Sequence, residues 1–202
     1  MDIKVAIALV SIAMTIVGYS YYFRDIFKGK TKPHAYSWLV WALLTAFAFL
    51  GQLSENAGPG AYVTGVTAAI AFIIFFLALN RGEKDITRFD RVNLAAALLA
   101  LIPWLLTDNP TFSIILITLI DVLGFMPTIR KSWHKPYEET LIAYVFAGVK
   151  FVLAIIALEN YSLVTWLYPA SLVVTNLFFV IMLIVRRKQL GPLQTYNVRA
   201  QN

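Results

Sequence analysis

The sequence predicts an all-α integral membrane protein of seven transmembrane helices, and three observations support this prediction. Of the 202 residues, 59% are hydrophobic and only 14% are charged, and the mean hydropathy is +0.71. Soluble domains are usually about half apolar and about a quarter charged. Apolar runs recur at the length that crosses a bilayer, and lysine and arginine cluster between alternate runs.

Seven apolar runs are long enough to cross the hydrocarbon core, which takes about 20 residues of helix. We place them at about residues 3–23, 36–54, 60–80, 92–108, 111–129, 140–158 and 162–186. The alternating pattern of strands does not appear, so the spans should form a helical bundle. No small-residue cleavage site follows the first run, and we predict that it is retained as a span.

The basic residues predict the orientation. Fifteen of the 17 lysines and arginines lie in the segments 23–34, 80–91, 130–139 and 186–202, and the connections 54–60, 107–110 and 159–162 contain none. Positive charge concentrates on the cytoplasmic side of membrane proteins. We therefore expect the N-terminus outside and the C-terminus inside. Anchoring beside anionic lipid explains the net charge of +6 without a nucleic-acid partner.

The sequence disfavours enzymatic function. It contains no cysteine, which excludes a disulfide framework, a thiolate metal site and a cysteine nucleophile. It also lacks a His-Cys metal cluster, a set of nucleophile, base and orienting residue, and a glycine loop for phosphate. We expect a protein that is not an enzyme and uses neither cofactor nor metal.

Spans one to three and spans five to seven show the same order of features. Each copy has a glycine six residues before an arginine, then a Lys-Pro pair and a hydroxyl residue four positions beyond the proline. These residues are Gly18, Arg24, Lys32, Pro33 and Ser37 in the first copy, and Gly124, Arg130, Lys135, Pro136 and Thr140 in the second. Such repeats indicate a transporter-like plan, with a ligand bound between the two copies.

Three helices per copy is an odd number, so two copies joined directly would face opposite ways across the membrane. The fourth span, used as a connector, restores a parallel 3+1+3 arrangement. We expect a first triple-helix bundle at 1–88, a connector helix at 89–110, a second triple-helix bundle at 111–188 and a cytoplasmic tail at 189–202.

This plan resembles the PQ-loop and SWEET superfamily, which includes sugar facilitators, cystinosin-type exporters and KDEL receptors. In that family a Pro-Gln pair near the end of the first helix of each repeat precedes a basic segment and a hydroxyl residue. Here Pro127-Thr128 is followed by basic residues and by Thr140, while the first copy has Tyr21-Tyr22 and no proline. The motif is therefore half present.

The resemblance implies a transporter that moves a small polar solute, such as a sugar or an amino acid, by alternating access between the two bundles. Two alternatives stay open: a vitamin facilitator of the nicotinamide-riboside type, and a ligand-binding receptor of KDEL-receptor-like architecture. The expected partners are the solute and the lipid bilayer, and a homo-oligomer is left open. The compact length of the chain favours the cytoplasmic (inner) membrane of a prokaryote.

Asp121 and Lys150 are the two charges expected deep inside spans, on adjacent helices of the same copy. Ionisable residues at such positions are costly and are candidates for function. One interpretation is a coupling pair that changes partners between states. The other is a permanent ion pair that fixes helix five to helix six.

Asn176 lies in the middle of span seven. The resemblance implies a substrate-facing asparagine on the third helix of each repeat, and a hydrogen bond between helices is the alternative. Pro169, seven residues earlier, should loosen this helix, and Pro127 should act as a hinge in span five.

Trp41, Thr45 and Gln52 share one face of span two with Trp38, at helical spacing. An indole can stack on a ring while a hydroxyl or an amide orients the solute. Tyr144 is the counterpart of Trp41 in the second copy, so we expect Trp41, Thr45, Gln52 and Tyr144 to line a shared cavity. The alternative for both Trp38 and Trp41 is the aromatic belt at the membrane interface, which we favour for Trp38.

Overall fold

The computed structural model describes residues 2–106 and 109–192, without the side chains of 96, 97 and 100–105. Most of the predicted tail lies outside the described residues. The described chain forms seven α-helices, one 3-10 helix (Pro136–Glu138) and no strand. The helices are α1 (Ile3–Phe27), α2 (Ala35–Ser54), α3 (Gly60–Arg81), α4 (Arg88–Leu105), α5 (Pro110–His134), α6 (Leu141–Ile156) and α7 (Leu163–Leu190). The all-α prediction is confirmed.

Several helices begin at capping residues that the sequence supplies. The Asp2 side chain accepts a hydrogen bond from a first-turn N–H of α1, and Asn109 does the same for α5. Pro110 opens α5 at a position where its missing N–H costs nothing. At the start of α7, the Ser162 N–H donates to the Thr165 hydroxyl at 3.0 Å.

Helices α1, α2, α3, α5 and α7 are long and apolar enough to cross a membrane, and α6 is a shorter apolar helix of 16 residues. The first turn of α4 contains Arg88, Asp90 and Arg91, which reduce its apolar length. Large apolar side chains such as Leu119 and Val174 are 61% and 66% exposed on the outside of the bundle. These features are those of a membrane-embedded protein.

Three helices continue past the predicted spans at the basic end. Helix α1 ends at Phe27, α5 at His134 and α7 at Leu190, whereas the apolar runs end near residues 23, 129 and 186. The sequence changes from apolar to charged before each helix ends. Charged residues remain helical there because their side chains reach polar partners. Arg187, for example, donates to the carbonyl oxygens of Pro136 and Glu139.

The helices pack in two sets of the same internal order. Helix α3 packs against both α1 and α2, and α7 packs against both α5 and α6. Between the sets, α1 packs against α6 and α5 packs against α2. Helix α4 lies against α5.

Glycines allow the closest approaches between the two sets. A Cβ atom on Gly18 of α1 would lie 2.7 Å from Cβ of Phe146 on α6. A Cβ atom on Gly124 of α5 would lie 3.0 Å from Cβ of Val40 on α2. Both crossings are therefore too close for any larger residue without movement of a helix or a side chain.

We expect Gly18→Ala to lower the free energy of unfolding by about 1–3 kcal/mol, because the added methyl group overpacks the α1–α6 crossing. The measurement is thermal unfolding of the detergent-purified protein. Gly148→Ala is the matched control, since its Cβ would lie 3.9 Å from the nearest atom, Cβ of Asn176. Equal unfolding temperatures for Gly18→Ala and wild type would contradict the close crossing.

Candidate functional site

A cavity of about 60 Å³ lies at the centre of the bundle. Helices α1, α2, α3, α5, α6 and α7 all contribute to its wall. A volume of this kind holds about four to six water molecules. Because both helix sets line the cavity, a molecule bound in it would contact both sets at once.

Five of the predicted site residues line this cavity together: Trp41, Thr45, Asp121, Tyr144 and Asn176. Trp41 and Thr45 are four residues apart on α2, so they lie one above the other on the same face. The Asn176 amide nitrogen donates to the Leu172 carbonyl oxygen of its own helix at 2.7 Å. Its side-chain oxygen has no hydrogen-bond partner among the described residues, which leaves it available to a ligand.

Gln52, predicted to line the cavity, is not part of its described wall. It is buried, and its amide nitrogen donates to the Thr165 carbonyl oxygen at 2.8 Å. Gln52 lies seven residues beyond Thr45, which is about 10 Å further along the helix. Gln52 lies on the same face of α2 as Thr45, but its hydrogen bond connects the end of α2 to the start of α7.

Trp38 is also placed differently from the expectation. It is only 5% exposed, lines the cavity and donates its indole N–H to the Tyr22 hydroxyl at 3.2 Å. It therefore lies in the interior and not in an interfacial belt. Tyr22 and Trp38 pack with ring centroids 5.3 Å apart, and Trp38 and Trp41 do so at 5.2 Å.

Asp121 and Lys150 are both buried but do not pair with each other. The Lys150 ammonium donates to Thr67 Oγ1 at 2.7 Å and lies 4.8 Å from the ring centroid of Tyr19. The Asp121 carboxylate accepts a hydrogen bond from the Tyr168 hydroxyl at 3.4 Å. The permanent ion pair between helices five and six is not formed, because α7 packs between α5 and α6.

Pro127 and Pro169 lie inside α5 and α7, and both helices continue through them. A proline within a helix removes one backbone hydrogen bond and weakens the helix locally. Pro127 is three residues from Gly124, so the weak point of α5 lies beside its close crossing with α2. The hinge role of both prolines stays a prediction.

The residues that sequence reasoning missed lie at the basic end of the cavity. Lys131 and Glu139 form an ion pair whose side chains are 1% and 0% exposed. The same ammonium donates to the Lys32 and Glu138 carbonyl oxygens at 2.6 and 3.2 Å. Sequence analysis assigned Lys131 to the topology anchors. The available signal was the pair of acids, Glu138 and Glu139, inside a basic segment.

Glu139 is joined directly to the wall of the cavity. One of its carboxylate oxygens accepts hydrogen bonds from the hydroxyl groups of Tyr22 and Tyr144, at 3.2 and 3.0 Å. Both tyrosines line the cavity, and they come from α1 and α6. The buried ion pair is therefore hydrogen-bonded to two residues of the cavity wall at its basic end.

The same end joins the α1–α2 connection to the start of α6. Thr140 donates its hydroxyl proton to Asp25 at 3.0 Å, so Thr31 must donate to Thr140, at 2.5 Å. Lys32 contacts the Glu138 carboxylate at 2.7 Å through its ammonium. The two helix sets are thus bonded to each other through side chains at the basic end.

The opposite end is closed mainly through the backbone. Gly60 N–H donates to the Ala157 carbonyl oxygen at 3.3 Å, and Glu159 N–H donates to the Ala57 carbonyl oxygen at 2.9 Å. The Lys4 ammonium adds a hydrogen bond to the Leu158 carbonyl oxygen at 2.5 Å. The α2–α3 connection is thereby bonded to the α6–α7 connection.

Further charged contacts lie at the basic end. Arg130 forms a two-pronged contact with Asp90, at 2.9 and 2.7 Å, which joins α5 to α4. His34 lies 3.6 Å from the same carboxylate. Burial lowers the pKa of His34, and the attraction of Asp90 opposes this effect only in part.

Glu83, in the connection between α3 and α4, is 6% exposed. Burial alone would raise the pKa of its carboxyl group. The hydrogen bonds from Asp85 N–H, the Lys135 ammonium and Lys84 N–H outweigh burial and hold this pKa below its ordinary value of 4.5. Lys135 is correspondingly held in its charged form.

Comparison of the chain with protein-family models, curated proteins and solved structures gives no match.

We expect Glu139→Gln to lower the free energy of unfolding by about 3–5 kcal/mol, because the Lys131 ammonium would stay buried without a counter-charge. The double variant Lys131→Met/Glu139→Gln removes that charge and should recover part of the loss. Thermal unfolding measures both effects.

Glu138→Gln is the matched control for this experiment. Its partner, the Lys32 side chain, is 43% exposed, so the change should cost about 1 kcal/mol or less. Equal losses for Glu138→Gln and Glu139→Gln would contradict a buried ion pair at Lys131.

Stability should depend on pH through Glu83. A carboxyl group with a lowered pKa in the folded state stabilises the fold above its unfolded pKa, and this contribution is lost as the pH falls through the folded value. At pH 7 we expect Glu83→Gln to cost about 1–3 kcal/mol. The difference from wild type should shrink below about pH 4.5.

The measurement is the unfolding temperature of wild type and Glu83→Gln from pH 3.5 to pH 7. Glu55→Gln is the control, since the Glu55 carboxylate has no hydrogen-bond partner in the described parts of the chain. A Glu83→Gln difference that stays constant over this pH range would reject the assignment.

Proposed function

We propose that this chain is a membrane transporter that moves a small polar solute by alternating access between two triple-helix bundles, α1–α3 and α5–α7. The supporting observation is the central cavity, which side chains of both sets line together. Bonds between the sets lie beyond both ends of this cavity. Breaking one group of bonds while the other holds would expose the cavity to one side at a time.

The proposed 3+1+3 plan rests on the internal order of the two sets. Each set has its third helix between the other two, and the crossings α1–α6 and α5–α2 are reciprocal. Gly18 and Gly124, matched in sequence, lie at these two crossings. The basic ends of the helices would face the cytoplasm under the positive-inside rule. The same features support the proposed likeness to the PQ-loop and SWEET superfamily.

The two ends would open by different means. At the basic end, Tyr22 on α1 and Tyr144 on α6 both donate to the Glu139 carboxylate. Opening of this end would separate the two tyrosines and break this shared contact. At the opposite end, opening breaks backbone hydrogen bonds between two connections. Pro127 and Pro169 would permit α5 and α7 to bend between these states.

A vitamin facilitator of the nicotinamide-riboside type is a second proposal, favoured by the aromatic wall of the cavity. Trp41 contacts Phe125 and Trp38 edge-on, with centroids 5.0 and 5.2 Å apart. Such a wall suits a ring-bearing solute. A receptor would bind its ligand in the same place without flux, so transport assays separate it from both proposals.

We place the protein in the cytoplasmic membrane of a prokaryote. The apolar outer faces of the helices suit contact with lipid, or with a second copy of the chain.

We expect Asn176→Ala to reduce solute uptake into proteoliposomes by about tenfold or more, because the ligand loses a hydrogen bond inside a buried cavity. Uptake of labelled sugars, amino acids, amines and vitamins by wild type first identifies a transported solute. Ser171→Ala is the matched control on α7, since Ser171 bonds to its own helix backbone at 2.7 Å.

Unchanged uptake by Asn176→Ala would remove this residue from the solute site. Binding of a solute by wild type without any uptake would reject the transporter and favour a receptor.

A further inference from the structure

We propose that the central cavity binds a small organic cation, such as a quaternary ammonium or an N-alkylated heteroaromatic ring. This inference rests on the proposed role of the cavity as the solute site and names the chemical class of the solute. It is argued from one under-bonded carboxylate, the absence of a cation from the described wall, and the aromatic character of that wall.

The carboxylate is that of Asp121, which is 1% exposed and lines the cavity. Its hydrogen bond from the Tyr168 hydroxyl measures 3.4 Å, longer than the usual range of about 2.5–3.0 Å for O–H···O contacts. No other donor bonds to it among the described residues. A buried carboxylate normally has several donors or a cationic partner. Asp121 therefore offers an unfilled site for positive charge.

The nearby cations already have hydrogen-bond or ion-pair partners. The Lys150 ammonium is bonded to Thr67 Oγ1, and Lys131 is paired with Glu139. None of the residues that form the described wall is Lys, Arg or His. An anionic solute would therefore find no counter-charge there, and an amino acid would bury its carboxylate unpaired. A solute with a single positive charge fits this wall best.

Aromatic rings make up eight of the 17 residues of the wall. The faces of Trp, Tyr and Phe rings attract cations, and pockets lined by them recognise quaternary ammonium groups. The structure holds two such contacts already: the Lys150 ammonium lies 4.8 Å from the ring centroid of Tyr19 and 4.7 Å from that of Phe151, and both side chains line the cavity.

A sugar fits this wall less well. Its hydroxyl groups need many hydrogen bonds once buried, and most polar groups of the wall are already bonded. The Thr45 hydroxyl lies 3.0 Å from that of Tyr168, and Thr67 accepts from Lys150 and donates to Val63. The volume of about 60 Å³, room for about four to six waters, suits a compact solute of similar size.

The test compares charged probes with uncharged molecules of the same shape. Choline is paired with 3,3-dimethyl-1-butanol, and 1-methylnicotinamide is paired with nicotinamide. Binding to the full-length, detergent-purified wild-type chain is measured by isothermal titration calorimetry. We expect the charged member of at least one pair to bind at least tenfold more tightly than its neutral counterpart.

Asp121→Asn should remove this preference for charge while leaving the affinity for the neutral probes unchanged. Asp85→Asn is the matched control: the chemical change is the same, and the Asp85 side chain is 65% exposed at the basic end. The Asp85→Asn variant should still bind the charged probe more tightly than its neutral counterpart. The wild-type comparison needs no variant, so it remains decisive if Asp121→Asn does not fold.

Equal affinity within both pairs, or no binding of any of the four probes, would overturn the inference. A preference for charge that survives in Asp121→Asn would overturn the role of this carboxylate. Uptake of a neutral solute without charge selectivity would contradict the cation site but would still support the proposed transport function. Charge-selective binding without uptake would keep the cation site and reject transport.

Discussion

The buried ion pair between Lys131 and Glu139 is the interaction on which the rest of the site depends. Removing two charges from water is costly, and the cost is offset only where further hydrogen bonds satisfy both groups. Here the ammonium also bonds two carbonyl oxygens, and the carboxylate also accepts from Tyr22 and Tyr144. Those tyrosines line the cavity. The pair itself lies in the second helix set, and its bonds to the Lys32 carbonyl oxygen and the Tyr22 hydroxyl connect it to the first set.

The two ends of the cavity have different physical character. Ion pairs and hydroxyl groups join the sets at the basic end, together with a backbone hydrogen bond from Lys32 N–H to the Glu138 carbonyl oxygen, while backbone hydrogen bonds predominate at the other end. Charged contacts weaken steeply once water enters, because the dielectric constant rises. Backbone hydrogen bonds are exchanged for bonds to water at little net cost. In the proposed transport cycle, opening of the basic end should therefore be more cooperative than opening of the other end.

The position of α7 determines the electrostatics of the cavity. It packs between α5 and α6, so Asp121 meets Tyr168 of α7 while Lys150 turns towards α1 and α3. Separation leaves the carboxylate in the cavity wall and the ammonium behind Thr67 and Tyr19. A direct contact between the two charges would have neutralised the site. Their separation gives the cavity an acidic group with room for a positively charged partner.

The sequence by itself determined the class of protein and much of the cavity wall. Apolar runs of bilayer length predict membrane helices whatever their neighbours, and the helical period places Trp41 and Thr45 on one face. Polar residues in apolar runs, such as Asp121 and Asn176, are recognisable as candidates for function because their burial in a membrane is energetically costly. Only the tertiary structure decided that Gln52 bonds to Thr165, that Lys150 bonds to Thr67, and that Glu139 supports the cavity. The physical reason is that each partner comes from another helix, and periodicity along one chain segment carries no information about which helices become neighbours.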